Sequence, residues 1–205
     1  MNIFGASKIG GWLRVVAFAA GAWVLAGGLP AGTAPKRRGQ AAVDVDKVLR
    51  EHNRVRAAVR VPPLVYSKEL AAYAQKWADH LAAGGGTLQH RPDEGPWKGL
   101  YGENLFAGTV GYYDEADAVK SWESEKALYS GEPISRENFR GVGHYTQMVW
   151  RTTERVGCGK AVGGGMLVIV CNYDPPGNIL GRKPYEPVPG AADFFSSLFS
   201  PRQYK

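Results

Sequence analysis

Two cysteines are the first residues whose type and spacing suggest a defined chemistry. They are Cys158 and Cys171, and glycines 163–165 lie between them. The flanking segments, RVGCGKAV and MLVIVCNY, have the composition of β-strands. A hairpin with a two-residue turn at Gly164 and Gly165 pairs residues whose numbers add to 329, and the two cysteines satisfy this sum. Their sulfurs would then lie across one ladder, close enough to bond.

We therefore predict a Cys158–Cys171 disulfide, the usual state of an even cysteine count in an oxidising compartment. Closing a loop of this length stabilises a fold by about 3 kcal/mol. Two alternatives stay open: a three-residue loop would shift the register by one, and a reduced protein would keep two buried thiols. A zinc site built on this pair is disfavoured, because the sequence has no CxxC motif.

Several function classes find no support in the sequence. It has no GxSxG elbow, no HExxH pair and no phosphate-cradling glycine loop. The net charge is +6, but part of the excess lies near the N-terminus and no Lys/Arg stripe interleaved with aromatics follows. We therefore expect no nucleic-acid partner.

The N-terminal segment has the order of a secretory signal peptide. Lys8 and Arg14 precede an apolar run at 15–29, and small residues follow at 30–34. This run is shorter than the roughly twenty residues that span a bilayer, although an uncleaved anchor is the alternative. We predict a signal peptide at 1–34, a linker at 35–43, one domain at 44–186 and a C-terminal tail at 187–205. The expected location is extracellular, or periplasmic in a Gram-negative bacterium, without stable membrane insertion after cleavage.

Capping residues and apolar periodicity predict the helices. Asp44 or Asp46 caps a first helix that stops before Pro62, and Ser67 caps a second that ends at glycines 84–86. A third helix runs from Asp114 to Gly131, and a short helical turn covers 144–150. Helices on both sides of a small sheet in the sequence indicate an α+β layered domain.

Two long motifs resemble a known family. GHYTQMVWRTTERVGCG at 143–159 and VIVCNYDPPGN at 168–178 are similar to motifs of the CAP superfamily, which includes pathogenesis-related-1 and cysteine-rich secretory proteins. Three shorter elements occur in the family's order: His52-Asn53 with Arg56, YGENL at 101–105, and Trp122 with Glu125 and Tyr129. Plant and animal members generally carry several disulfides, whereas this chain keeps one cysteine pair. It also lacks the cysteine-rich C-terminal module of the venom and reproductive-tract members.

The resemblance implies a three-layer α-β-α sandwich with a central antiparallel sheet and an open cleft. In the family this cleft holds two histidines and two acidic residues. These positions fall on His90, Glu103, Glu125 and His144. The family's His-Asn pair implies a structural role for His52.

The chemistry of these four residues allows three roles. Imidazoles and carboxylates suit Zn²⁺, and two histidines with acids nearby make an incomplete, open site. The same groups could position a water for general-base chemistry, or simply tie helices to the sheet.

Three functions follow as expectations. The first is a secreted binding module, because the resemblance implies sterol or fatty-acid ligands and defence or host interaction. The second is a metal-assisted hydrolase or peptidase that uses the same cleft. A peptide precursor cleaved near Pro176 is a third, which the chain's continuation past Tyr185 disfavours.

Overall fold

Side-chain caps define where the first three helices begin. A computed structural model describes residues 42–185, in which Asp44 accepts from the backbone of Lys47 at 2.9 Å and begins α1 (Val45–Ala58). Ser67 likewise begins α2 (Lys68–Ala83), which ends at Gly84 as predicted. The predicted signal peptide, most of the linker and the tail lie outside the described residues.

The third helix is shorter than predicted. Asp114 caps α3 (Glu115–Ser124) through a reciprocal capping box with Asp117, but the chain then tightens into a 3₁₀ turn (Glu125–Leu128). The following helix, α4 (Phe139–Met148), begins five residues before the predicted turn at 144–150. The carboxylate of Glu125 accepts from backbone amides inside α4, so the segment after α3 folds back instead of continuing as a helix.

Four strands form one sheet in the order β1-β3-β4-β2. They are β1 (Val65–Tyr66), β2 (Gly102–Thr109), β3 (Arg155–Gly163) and β4 (Met166–Asp174). The three long strands are antiparallel as predicted. The two-residue β1 pairs parallel to β3, so the sheet is mixed. A strand of two residues carries no periodic pattern, and its direction could not be predicted.

The hairpin has the predicted register. Gly164 and Gly165 form its turn with φ of 59° and 78°, and Cys158 faces Cys171. The two cysteines form a disulfide, with Cα atoms 4.1 Å apart. The prediction is confirmed, because a turn of two left-handed residues fixes which positions lie opposite.

Helices cover both faces of the sheet and produce three layers. One core packs α2 against the sheet through Ala74, Trp77 and Leu81 on the helix and Val168 and Val170 on β4. The other core packs α1, α3 and α4 against the opposite face, where the side chains of Ile169, Cys171 and Tyr173 point. The predicted α-β-α sandwich of the α+β class is therefore confirmed. Among residues 42–185 the longest and most apolar helices still fall short of a membrane span.

A glycine allows α2 to lie unusually close to the sheet. A Cβ atom at Gly159 would lie 2.3 Å from the Cα of Gln75 in α2, well inside van der Waals contact. No other residue type can occupy this position at the present helix-to-strand distance.

Two polar side chains of α1 are fully buried and hydrogen-bonded. His52 Nδ1 lies 2.8 Å from the carbonyl oxygen of Val48, and its Nε2 lies 2.9 Å from the Tyr173 hydroxyl. Burial lowers the pKa of His52 to about 4. Arg56, one turn later, is equally buried. The structural role implied for His52 matches this geometry.

Candidate functional site

His144 and Glu125 form the first pair of the cleft. His144 lies on α4, and its Nδ1 is 2.6 Å from Oε1 of Glu125 in the 3₁₀ turn. The other carboxylate oxygen accepts from the backbone amides of His144 at 2.8 Å and Tyr145 at 3.1 Å. Glu125 thus holds both the ring and the backbone of His144, which leaves the imidazole little freedom to rotate.

His90 and Glu103 form the second pair. His90 lies in the loop after α2, and its Nδ1 is 2.9 Å from Oε1 of Glu103 on β2. The backbone amide of Arg91 donates to the same oxygen at 3.1 Å. The Arg91 side chain approaches Oε2 at 3.7 Å, so it supplies the positive charge opposite this carboxylate. Glu103 is almost buried, whereas the side chain of His90 is 59% exposed.

Both rings bind their carboxylate through the same nitrogen, Nδ1, and both residues line the smaller cavity. A carboxylate only accepts hydrogen bonds, so each Nδ1 carries a hydrogen, and in a neutral ring Nε2 then keeps its lone pair. Among residues 42–185, no hydrogen-bond partner is found for either Nε2 atom. This is the arrangement that metal-binding histidines adopt when a carboxylate orients the ring from behind.

Two adjoining cavities make up the cleft. The larger, of about 340 Å³, is lined by His90, Glu103 and residues of the 176–178 turn. The smaller, of about 230 Å³, has both His90 and His144 in its wall. The cavities share His90, Glu103, Phe139 and Asn178, so they adjoin one another. Glu125 lies behind His144 and outside both walls.

The loop that carries His90 is packed onto α2 by an arginine and aromatic rings. The Arg91 guanidinium lies 3.8 Å from the ring centroid of Tyr73 and donates to its carbonyl at 2.6 Å. Trp77 Nε1 donates to the carbonyl of Gln89 at 2.9 Å, directly before His90. Helix α2 therefore sets the position of His90 although it contributes no residue to the two pairs.

A family model identifies the fold with a known family. The model described as the cysteine-rich secretory protein family, CAP, matches residues 49–173, which is more than half of the chain. This protein belongs to the CAP family.

Named CAP relatives include plant pathogenesis-related proteins. Pathogenesis-related protein 1 of Arabidopsis thaliana is 44% identical over 139 residues, covering 67% of this chain and 80% of that protein. Pathogenesis-related protein PRMS of Zea mays is 43% identical over 140 residues, with the same coverage. Among solved structures, the crystal structure of NaASP2 with Zn²⁺ has a TM-score of 0.59 and 28% identity, covering 69% of this chain and 84% of that one.

The structure joins the four predicted residues of this CAP protein as two pairs: His90, Glu103 and His144 line the cleft, and Glu125 lies behind His144. Within residues 42–185, no three His, Cys, Asp or Glu side chains converge as metal ligands. Each glutamate faces the Nδ1 of its own histidine, so the pairs offer two ring nitrogens and two orienting carboxylates. Two ring nitrogens are fewer than the four ligands of a complete zinc site, so metal binding stays a prediction.

Four further residues of the cleft were missed by the sequence analysis: Arg91, Phe139, Arg140 and Asn178. Asn178 ends the VIVCNYDPPGN motif. Its side chain accepts a hydrogen bond from the Thr146 hydroxyl at 2.7 Å and donates one to the carbonyl of Gly143 at 2.8 Å. Arg91 follows His90 directly in the sequence, and this position could have indicated that it lies at the cleft. Nothing in the sequence around 139–140 indicates that these residues face the cleft.

Proposed function

We propose that this CAP protein is an exported binding module whose cleft holds a divalent cation, with Zn²⁺ the best suited, at the Nε2 atoms of His90 and His144. One observation carries the proposal: both Nδ1 atoms are engaged by carboxylates, and both rings line the same cavity. Neutral imidazole oriented by a carboxylate behind it is the preferred nitrogen ligand of Zn²⁺ in proteins.

The solved relative NaASP2, which was crystallised with Zn²⁺, supports the choice of metal. Two protein nitrogens occupy half of a tetrahedral shell, so water or a bound ligand would supply the rest. Such a bound ion acts as a Lewis acid toward an oxygen ligand. The chain's own residues orient the rings through Glu103 and Glu125 and place two negative charges behind them.

The relatives named as pathogenesis-related proteins support a defence or host-interaction role for the module. A ligand with an apolar part, such as a sterol or fatty acid, belongs to the same proposal, because Phe139 presents a half-exposed ring to both cavities. The metal-assisted hydrolase remains a prediction. Screening the zinc-loaded protein against an unbiased peptide library tests it, and no cleavage would refute it.

Export is supported by two features. The Cys158–Cys171 disulfide suits an oxidising compartment, and the family is described as secretory. Mass spectrometry of protein recovered from the culture medium tests this part through the mass of the mature chain. Recovery of the reduced, full-length chain from the cell interior would contradict it.

Calorimetric titration with Zn²⁺ tests the cation site. We expect one site that His144→Ala and His90→Ala each weaken by about 100-fold or more, since either change removes half of the protein ligands. His80→Ala is the matched control, because His80 is exposed and stacks on Trp77 at 4.6 Å, away from both cavities. The proposal would be refuted if the intact protein bound no Zn²⁺, or if both cleft variants bound Zn²⁺ as tightly as the intact protein.

A further inference from the structure

We propose that the cleft selects a small amphipathic carboxylate, whose oxygens bind the cation and the Arg140 guanidinium while its apolar group packs on Phe139. This inference rests on the proposed function, since it assigns a ligand class to the same site. It is carried by the charge pattern around the smaller cavity and by two adjacent residues of α4.

Arg140 is an unpaired cation in the wall of the smaller cavity. It lies in the first turn of α4 and lines the same cavity as His90 and His144. Its side chain is exposed and makes no hydrogen bond or ion pair with any residue in the range 42–185. Arginine side chains at a surface are commonly unpaired, so the surrounding charges decide what this one can bind.

The carboxylates near Arg140 are already engaged. Glu125 accepts three hydrogen bonds, from the backbone of His144 and Tyr145 and from the His144 ring. Oε1 of Glu103 accepts from the His90 ring and the Arg91 amide, and its Oε2, which accepts no hydrogen bond from the described residues, lies 3.7 Å from Nε of Arg91. Asp93 lines only the larger cavity. The charge of Arg140 therefore has no counterpart in the smaller cavity.

A bound divalent cation would add to this excess. Glu103 lies opposite Arg91, so of the two carboxylates that orient the rings it is Glu125, behind His144, that would offset the charge of the ion and of Arg140. An anionic ligand in the smaller cavity would restore the balance. A carboxylate suits both partners, because one oxygen can enter an open coordination position while the guanidinium fork binds the group from the side.

Phe139 gives the site its apolar part. It precedes Arg140 in sequence, is 43% exposed and lines both cavities. A ligand held by its carboxylate at the His144 end would extend over this ring toward the larger cavity. The larger cavity, of about 340 Å³, falls within the size range of small-molecule pockets, and the smaller one, of about 230 Å³, adjoins it.

Calorimetry on the zinc-loaded protein tests the inference. The probes are N-acetyl-L-phenylalanine, its neutral amide N-acetyl-L-phenylalaninamide, and acetate. We expect the acid to bind at least about tenfold more tightly than the amide, because a neutral group cannot pair with Arg140. We also expect it to bind more tightly than acetate, which lacks the apolar group.

Two variants separate the contributions. Arg140→Gln should lower the affinity for the acid by about tenfold. Phe139→Ala should lower the affinity for the acid but leave the affinity for acetate unchanged. Arg136→Gln is the matched control, because this exposed arginine lies four residues earlier and lines neither cavity. Zinc content is measured in every sample, so all variants are compared at full loading.

The outcomes distinguish this inference from the proposed function. Equal affinity for acid and amide, or an Arg140→Gln variant that binds the acid as tightly as the Arg136→Gln control, overturns the carboxylate inference alone. Failure of the intact protein to take up Zn²⁺ overturns the proposed function and the metal part of this inference with it.

Discussion

Arg56 Nη1 donates to the carbonyl oxygen of Met148 at 2.8 Å and thereby joins α1 to the last turn of the helix that carries His144. The guanidinium is fully buried and donates to four carbonyls, those of Pro62, Met148, Trp150 and Thr153. Burial lowers the pKa of Arg56 to about 10, which leaves it charged at neutral pH. A single side chain therefore donates to the backbone of two separate segments, at Pro62 and at 148–153.

Replacing Arg56 should destabilise the protein strongly. Arg56→Ala removes a buried guanidinium that donates to four carbonyls and leaves those of Met148 and Thr153 buried without this donor. We expect a loss of at least about 3 kcal/mol in the free energy of unfolding. Arg56→Lys keeps a charged donor for some of these carbonyls, so its free energy of unfolding should fall by less. Chemical denaturation measures both, with the exposed Arg50→Ala as a control expected to change stability by less than about 0.5 kcal/mol. An Arg56→Ala protein as stable as this control would contradict the prediction.

His52 should make the protein sensitive to acid. Its pKa is about 4 in the folded state and 6.5 in the unfolded chain, so only the unfolded chain binds the proton between these values. Stability therefore decreases as the pH falls from 6.5 to 4, by roughly 3 kcal/mol from this group. Denaturation at several pH values should show a smaller acid loss in His52→Gln than in the parent. The same pH dependence in both proteins would refute this assignment.

Arg91 should act on the cleft through Glu103 and His90. Lysine cannot reproduce the contact with Tyr73 and the approach to Glu103 together, so Arg91→Lys should loosen the His90 ring. We expect Zn²⁺ affinity to fall by about tenfold, as for other changes behind a metal ligand. Lys98→Ala, in the same loop, is the control. NMR of the lysine variant should show greater mobility of the His90 ring alone. A general loss of stability would instead increase mobility at many residues.

The disulfide should stabilise the domain without being needed for its strand pairing. The ladder between β3 and β4 runs from Arg155–Asp174 to Gly163–Met166 and includes the cysteine pair as one step. Cys158→Ala with Cys171→Ala should lower the free energy of unfolding by about 3 kcal/mol. Circular dichroism of the folded variant should match that of the parent. Loss of the strand signal under native conditions would show that the bond holds the hairpin together.

Much of the fold could be predicted because it depends on local rules. The cap at Ser67, the end of α2 at Gly84 and the register at Gly164 and Gly165 each depend on a few neighbouring residues. The start of α4 was missed, because Asn138 makes no side-chain cap and glycines 141 and 143 weaken the helical pattern.

The site was predictable only in part. His90, Glu103, Glu125 and His144 lie in segments that resemble family motifs. The pairing of each histidine with its own glutamate depends on how α4 folds back onto the 3₁₀ turn, and no local pattern encodes that. Arg56 shows the same limit, since a sequence does not reveal that an arginine is buried among carbonyls contributed from almost a hundred residues away.

The close contact at Gly159 has a consequence for the dimensions of the cleft. Helix α2 lies against the sheet at a separation that only a missing side chain allows, and the loop it supports carries His90. The missing side chain of Gly159 therefore helps to set the distance between the two imidazole rings, although it lies on the α2 side of the sheet. A methyl group at position 159 would push α2 away from the sheet and so change the distance between the two histidine rings without contacting either of them.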